Sequence, residues 1–337
     1  MAVLRGCCVH HANLATGGSA LKPGGKVVAV VVSRDRPGEL RHTLQALRQQ
    51  RTNTASLEIL VIDSSACIEA VAEAAAAPGV RLIRSSVNLG GAGGFALGML
   101  EALAAGAHWI WLMDDDGRPQ HDDALERLLE TAAERHLDAV AAAVIDPDDS
   151  SRFAFPYRVK QRYVFARSAL PEGTFMPGMA HLFNGLLIRA SAIFKTGLPD
   201  LRMFIRGDEI DFLHRMRQAG LAFGTTLNAR FEHPSSNAEL FPVFGGRLRV
   251  VYPQLRWKRR SQYRNRAYNY IKHRVFLMLM VDCVRYPYFF LCCRRLDVAG
   301  LKEWLTCTWE GIRGDIYVDP SIDLEPHALD LPLAPRN

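Results

Sequence analysis

The sequence is short of acid in one place. Between Glu239 and Asp282 no Asp or Glu occurs, while the same interval carries ten Lys or Arg residues. The whole chain has a formal net charge of only +6, so its basicity is concentrated there and the remainder is slightly acidic. Cysteine is too sparse for a scaffold. The seven thiols (Cys7, Cys8, Cys67, Cys283, Cys292, Cys293 and Cys307) are odd in number, without zinc-type pairing or disulfide density, and read as reduced thiols of a cytosolic compartment. The first 25 residues lack the apolar core of a secretory signal and predict a poorly ordered leader. Long apolar runs are missing too. Val275 to Cys293 is broken by Asp282, Arg285 and Pro287, whereas a spanning helix needs about 20 mostly apolar residues. The absence of a dinucleotide fingerprint and of a P-loop Lys-Ser/Thr argues against a Rossmann dehydrogenase or an ATPase.

What is present is a core. The chain has 337 residues and is 49% hydrophobic, enough for one large α/β domain with additions or for two smaller domains. Order begins at Lys26. The β-branched run Val27 to Val32 predicts a strand buried on both faces, ending in Ser33-Arg34-Asp35-Arg36-Pro37. Leu40, Thr43, Leu44 and Leu47 then carry helical spacing. The pattern repeats with a strand Leu57 to Ile62 ending at Asp63, an Ala-rich helix, and a strand Val80 to Ile83. Strands alternating with helices predict a doubly wound, mostly parallel sheet, whose ligands bind at the carboxyl ends of the strands.

The stretch Trp109-Ile110-Trp111-Leu112-Met113 runs directly into Asp114, Asp115 and Asp116. Three adjacent carboxylates at the end of a buried strand repel one another, and a hard divalent ion such as Mg²⁺ or Mn²⁺ is the economical partner; an acidic loop capping the next helix is the plain alternative. Upstream, Asn88-Leu89-Gly90-Gly91-Ala92-Gly93-Gly94-Phe95 reads as a glycine loop that lets backbone approach a ligand before a helix from Ala96 to Ala105, or as a flexible helix start. Downstream come a helix from Asp122 to about Arg135 and strands Ala139 to Ile145 and Phe183 to Arg189. Residues 146–180 mix Pro, Arg and aromatics without period, as in an acceptor-lining loop or an ordinary surface loop. Gly207-Asp208-Glu209-Ile210-Asp211-Phe212 opens a helix, where the dipole alone favours acids. The strand Leu221 to Leu227 leads to His233-Pro234, a loop histidine or a metal ligand.

Taken in order, the Ser-Arg-Asp-Arg strand end, Asp63, Asn-Leu-Gly-Gly-Ala-Gly-Gly-Phe, Met-Asp-Asp-Asp, Gly-Asp-Glu-Ile-Asp-Phe and His-Pro resemble family-2 glycosyltransferases of the GT-A fold. Within that family they are similar to the galactofuranosyl- and rhamnosyltransferase-like branch. The resemblance covers roughly residues 26–275. It implies an inverting, metal-dependent transfer of a sugar, galactofuranose or rhamnose favoured, from a UDP- or dTDP-sugar donor to a glycan or lipid-linked acceptor, in this family often a glycan on polyprenyl diphosphate. Ser33, Asp35 and Asp63 would hold base and ribose, and the loop with Asn88, Gly91 and Gly93 would lie along the donor. Asp114 and Asp116 would bind Mn²⁺ or Mg²⁺ bridging the donor phosphates, with Asp115 between them among the donor-binding residues. His233 would complete the metal shell, and Glu209 would be the general base with Asp208 kept open.

This reading divides the chain into the leader, a catalytic domain over 26–240 (nucleotide-sugar half 26–145, acceptor half 146–240) and a helical, membrane-proximal region over 241–337. In that last region Arg256 to Arg274 interleaves cations with aromatics. It predicts an interfacial helix pair at an anionic membrane surface, here the cytoplasmic face of the inner membrane, or a bundle packed on the catalytic domain. An RNA-binding surface is the non-enzymatic alternative, but strand-end acids would repel phosphate. A sugar-phosphate nucleotidyltransferase is the other, and Ser33 to Gly38 offers only one glycine for its triphosphate loop.

Overall fold

A computed structural model describes residues 25–66, 71–72, 75–159, 162–235 and 237–318. Residues 1–24 of the expected leader, and most of the Ala-rich helix expected after Asp63, lie outside the described residues. The first half runs β1 (Gly25–Ser33), α1 (Pro37–Arg48), β2 (Ala55–Asp63), β3 (Val80–Arg84), α2 (Gly90–Ala104), β4 (Trp109–Asp114), β5 (Arg118–Pro119), α3 (Ala124–Glu134) and β6 (Ala139–Ile145). It continues through β7 (Arg152–Val159), β8 (Arg162–Ala166), β9 (Phe175–Pro177), β10 (Asn184–Arg189), α4 (Ala190–Thr196), α5 (Asp208–Gln218) and β11 (Phe223–Glu232). A hairpin of β12 (Leu240–Val243) and β13 (Leu248–Val251) precedes three helices, α6 (Arg256–Lys272), α7 (Phe276–Tyr288) and α8 (Val298–Arg313).

The sheet order is β3-β2-β1-β4-β10-β6-β11-β5. Strands β1 to β4 are parallel, β10 is antiparallel to both its neighbours, and β6 and β11 are again parallel. The strand order reverses between β1 and β4, and a doubly wound sheet opens its ligand crevice at that switch. Ser33 and Asp114 therefore end adjacent strands at the mouth of the crevice. One core layer lies under α1 and α3, from Leu40, Leu44 and Leu47 to Leu125 and Leu128. A second lies under α2 and α5, where Phe95, Met99, Phe212 and Met216 meet Val28, Val30 and Ile62.

Two elements differ from the sequence reading. The glycine run is the start of α2 rather than a loop before it. A Cβ on Gly98 would lie 2.2 Å from Val30 Cγ1 and one on Gly94 would lie 2.5 Å from Val32 Cγ1, so these glycines let the helix press against β1. Residues 146–180 are not a plain loop: β7 and β8 form a hairpin and β9 pairs with β11. Phe153 and Tyr157 anchor β7, and the Tyr157 hydroxyl accepts from Val144 N (3.0 Å).

The three C-terminal helices use much of the basic segment internally. Arg256 and Arg259 pair with Glu303 at 3.1 and 3.0 Å, Arg266 with Asp282 at 2.6 Å, and Lys272 with Asp211 at 2.7 Å. Arg264 is buried with its guanidinium 4.4 Å over the Tyr317 ring. These cations tie α6 to α7, α8 and α5, which favours the packed bundle and removes most of the surface an RNA would need. Phe276–Cys293 is one continuous helical stretch, long and apolar enough by length and composition to cross a membrane (mean hydropathy 1.5). Of the three interruptions read from the sequence, Asp282 and Arg285 are buried and face inward, while Pro287 is half-buried inside the helix.

Candidate active site

Asp114 and Asp116 leave β4 and His233 follows β11, and one donor atom from each lies within 4.8 Å of the others. The imidazole is fixed by its own backbone neighbour. Nδ1 donates to Pro234 O (2.7 Å), which directs Nε2 toward Asp116 Oδ1 at 3.1 Å. Burial and the charge of Asp116 push Asp114 up to about 8. Burial acts upward on Asp116 as well, but its hydrogen bond to His233, with the charges of His233 and Arg36, holds it well below the usual carboxylate range. Burial lowers His233, yet Asp116 and Asp114 together raise it above its ordinary value. Arg36 Nη1 hydrogen-bonds Asp116 Oδ2 and stands 3.7 Å from Asp115 Oδ1. Two hard carboxylates and one oriented imidazole, whose Nε2 and the facing Asp116 Oδ1 lie side by side, fit Mn²⁺ or Mg²⁺ in donor chemistry.

The middle acid faces elsewhere. Asp115 is 4% exposed, and its Oδ2 accepts from Ser33 Oγ (2.9 Å) and Arg34 N (3.3 Å). Burial and Asp116 push it up to about 7. Ser33 thus braces the acid turn from β1. Asp35, in left-handed backbone, donates its N–H to Ser65 Oγ (2.7 Å) and accepts from Ala66 N (2.8 Å), knitting the ends of β1 and β2. Asp63 is fully buried and accepts from Ser65 N and from Arg84 Nε, each at 3.0 Å.

The structure brings the glycine run and the second acid cluster together. Asn88 Oδ1 accepts from Gly90 N (3.0 Å), and Ala92 N donates to Phe204 O (3.0 Å), the carbonyl that a Cβ on Gly90 would strike at 2.3 Å. Gly91 faces Asp208, since its Cβ would sit 3.8 Å from Asp208 Oδ2, whereas Gly93 abuts Leu89 and Leu201. Burial, the hydrogen-bonded Glu209 carboxyl and Asp114 together push Asp208 well above the carboxylate range. Glu209 Oε2 accepts from Gly207 N (3.2 Å). The third acid of the cluster, Asp211, binds Arg215, Lys272 and His273, and burial opposed by the Lys272 and Arg215 charges and by the Lys272 and His273 hydrogen bonds leaves it lowered.

Several neighbours of the site escape sequence reasoning. His181 and Asn184 each carry a buried polar atom without a hydrogen-bond partner, and Asn184 pairs in register with Met113 beside Asp114. Burial, with the charge of His233, lowers His181 to about 4. Phe155 packs on both imidazoles, 5.0 Å from His181 and 5.1 Å from His233. Most distant in sequence is Asn265 of α6. Its Nδ2 donates to Met203 O (2.8 Å), Ile205 O (3.1 Å) and Arg206 O (2.8 Å), while Asn269 Nδ2 donates to Gly207 O (2.8 Å). The segment so held contains Phe204, Arg206 and Gly207, all at positive φ, immediately before the acids. The sole sequence signal was the Tyr263-Arg264-Asn265 run within the basic segment.

A doubly wound sheet with two acids and a histidine gathered at its switch point, and a second acid pair across the crevice, defines a nucleotide-sugar-dependent glycosyltransferase with a candidate metal site. The chain belongs to glycosyl transferase family 2, whose model matches residues 28–188. It is 41% identical over 287 residues to galactofuranosyltransferase GlfT1 of Mycolicibacterium smegmatis, covering 83% of this chain and 94% of that protein. It is 42% identical to galactofuranosyltransferase GlfT1 of Mycobacterium tuberculosis, with 83% and 93% covered. In fold it is similar to S. aureus TarS 1–349 (TM-score 0.54, 12% identity, 86% of this chain and 82% of that one). It is also similar to GalNAc-T7 crystallised with UDP, GalNAc and Mn²⁺ (TM-score 0.51, 13% identity, 75% and 51%).

Proposed function

We propose that this glycosyltransferase moves galactofuranose from UDP to a glycan on a polyprenyl diphosphate, with inversion, at the cytoplasmic face of the inner membrane. The observation carrying this reading is the likeness to GlfT1 over 83% of the chain, joined to the triad Asp114, Asp116 and His233. Ser33, Asp35 and Asp63 are assigned to the nucleotide end of the crevice and Asn88 and Gly91 to its sugar side, whereas Gly93 packs on Leu89 and Leu201 and serves the close approach of the helix start. Asp114, Asp116 and His233 would hold Mn²⁺ or Mg²⁺. The bound ion would neutralise the charge that develops on the departing diphosphate.

The chain's own residues account for the rest. Glu209 takes the proton of the acceptor hydroxyl as its oxygen bonds to the anomeric carbon and the bond from that carbon to the donor phosphate breaks, with UDP leaving. Asp208, whose carboxyl is raised well above its ordinary range by burial, by the hydrogen-bonded Glu209 and by Asp114, stands beside Glu209 and orients it. In-line attack needs no second nucleophilic acid. Peripheral membrane contact falls to α7 and α8, which expose Leu277, Met280 and Val284, and Leu305 and Trp309. The buried Asp282–Arg266 pair on the inner side of α7 supports a helix lying on the membrane over one crossing it.

Calorimetric titration of UDP and dTDP with Mn²⁺, with Mg²⁺ and after chelation tests the donor assignment. UDP binding that requires the metal is expected. Binding of neither nucleotide by folded, metal-loaded protein would overturn it.

A further inference from the structure

A cleft of about 370 Å³ opens between the two hairpins, lined by Arg152 and Phe165 of β7 and β8 and by Leu240 and Arg249 of β12 and β13. Two guanidiniums beside two apolar side chains suit an anionic group attached to hydrocarbon. Arg249 is the informative one. Its guanidinium lies 4.7 Å over the Phe165 ring, its Nε is buried without a hydrogen-bond partner, and no carboxylate among the described residues pairs with it. Arg256, Arg259, Arg266 and Lys272 of the same basic segment all have acids. A cation kept unneutralised beside a cleft is a cation available to a ligand.

The cleft is strung between the metal triad and the exposed helices. Three residues along β7 from Arg152, Phe155 packs on the His233 ring. On the other side, Arg249 O accepts from Arg285 Nη1 (2.7 Å) of α7, the helix that exposes Leu277, Met280 and Val284. Resting on the glycosyltransferase reading above, we propose that this cleft binds the diphosphate of the lipid-linked acceptor. Its sugar end then reaches the metal triad and its lipid leaves over α7.

The test is calorimetry with geranyl diphosphate in chelator, where the metal-dependent donor site is silent, with inorganic pyrophosphate and geraniol as companion probes. Geranyl diphosphate is expected to bind wild type, and the Arg152→Gln/Arg249→Gln variant to bind it at least about tenfold more weakly, the order of one lost charge-assisted hydrogen bond. Arg249→Lys keeps a charge and should retain most of the affinity. UDP binding with Mn²⁺, measured on every variant, reports the fold and the donor site separately. Intact UDP binding with no geranyl diphosphate binding, or with equal binding by the double variant, would overturn the proposal. Pyrophosphate binding as tightly as geranyl diphosphate would assign the cleft to a free anion and overturn it too. Wild type that binds geranyl diphosphate but never UDP would instead sink the donor assignment.

Discussion

Replacing Asn265 by Ala probes how the acids of α5 are held. The side chain is fully buried, and its two amide protons serve the carbonyls of Met203, Ile205 and Arg206 at 2.8, 3.1 and 2.8 Å. A net hydrogen bond contributes about 1 kcal/mol, and a buried carbonyl left unpaired costs about 1–3 kcal/mol. Two such losses amount to roughly 2–6 kcal/mol, a factor of at least about 30 in the ratio of the clasped to the relaxed segment. The segment is inclined to relax, because Phe204 and Arg206 sit at φ +60° and +64°. Left-handed backbone costs a non-glycine residue about 1–2 kcal/mol. Asn265→Ala should therefore lower kcat at least about 30-fold while the Kd for UDP with Mn²⁺ stays within about twofold, because the donor acids sit on β4. Asn265→Asp, which cannot donate, should do the same. Steady-state kinetics alongside UDP calorimetry decides. A lowered unfolding temperature with normal kcat would refute the clasp and leave Asn265 as fold stability alone.

Four further outcomes follow from the geometry. Asp116→Ala should abolish the metal dependence of UDP binding in calorimetry; unchanged affinity with and without Mn²⁺ would count against the triad. Glu209→Gln should keep UDP binding but lose at least about 10²-fold in turnover, and near-normal turnover would transfer the base role to Asp208. Gly98→Ala should destabilise by about 1–3 kcal/mol in denaturant unfolding, because its Cβ would meet Val30 Cγ1 at 2.2 Å. In chelator, Asp114 titrates at about 8 folded and near its ordinary value unfolded, so the folded state binds the extra proton and stability falls as pH rises from about 4 to about 8. Mn²⁺ competes with that proton, so its stabilisation should grow across the same window; a pH-independent metal effect in thermal unfolding would contradict this.

Much of this was legible in the chain. Ala139 to Ile145 reads as a strand because seven small or branched apolar residues admit little else, and the structure agrees residue for residue. The turn into Asp114 to Asp116 stood out because charge abruptly follows a buried strand. Other features had no local signature. The β7–β8 hairpin hides its alternation behind Pro156 and scattered arginines. The glycine run signals close approach but does not say whether a ligand or Val30 and Val32 are approached, and for Gly94 and Gly98 it is the strand. The basic segment is the sharpest lesson: its acid partners Glu303, Glu310 and Asp282 lie outside it, so a charge plot shows a cationic surface where the fold makes ion pairs. His181, Asn184 and Asn265 act through long-range contacts that no spacing encodes.

The clasp of α6 on the segment before Asp208 also bears on how this enzyme can be taken apart. Composition changes near residue 240, which invites cutting there to obtain a minimal catalytic fragment. Such a fragment would lose Asn265 and Asn269 from the Met203 to Gly207 carbonyls, and Lys272 and His273 from Asp211. The nucleotide crevice at β1 and β4 would remain intact. The expected product is a protein that binds donor and barely turns it over, so an inactive truncation would report a missing half of the catalytic apparatus rather than a missing membrane anchor.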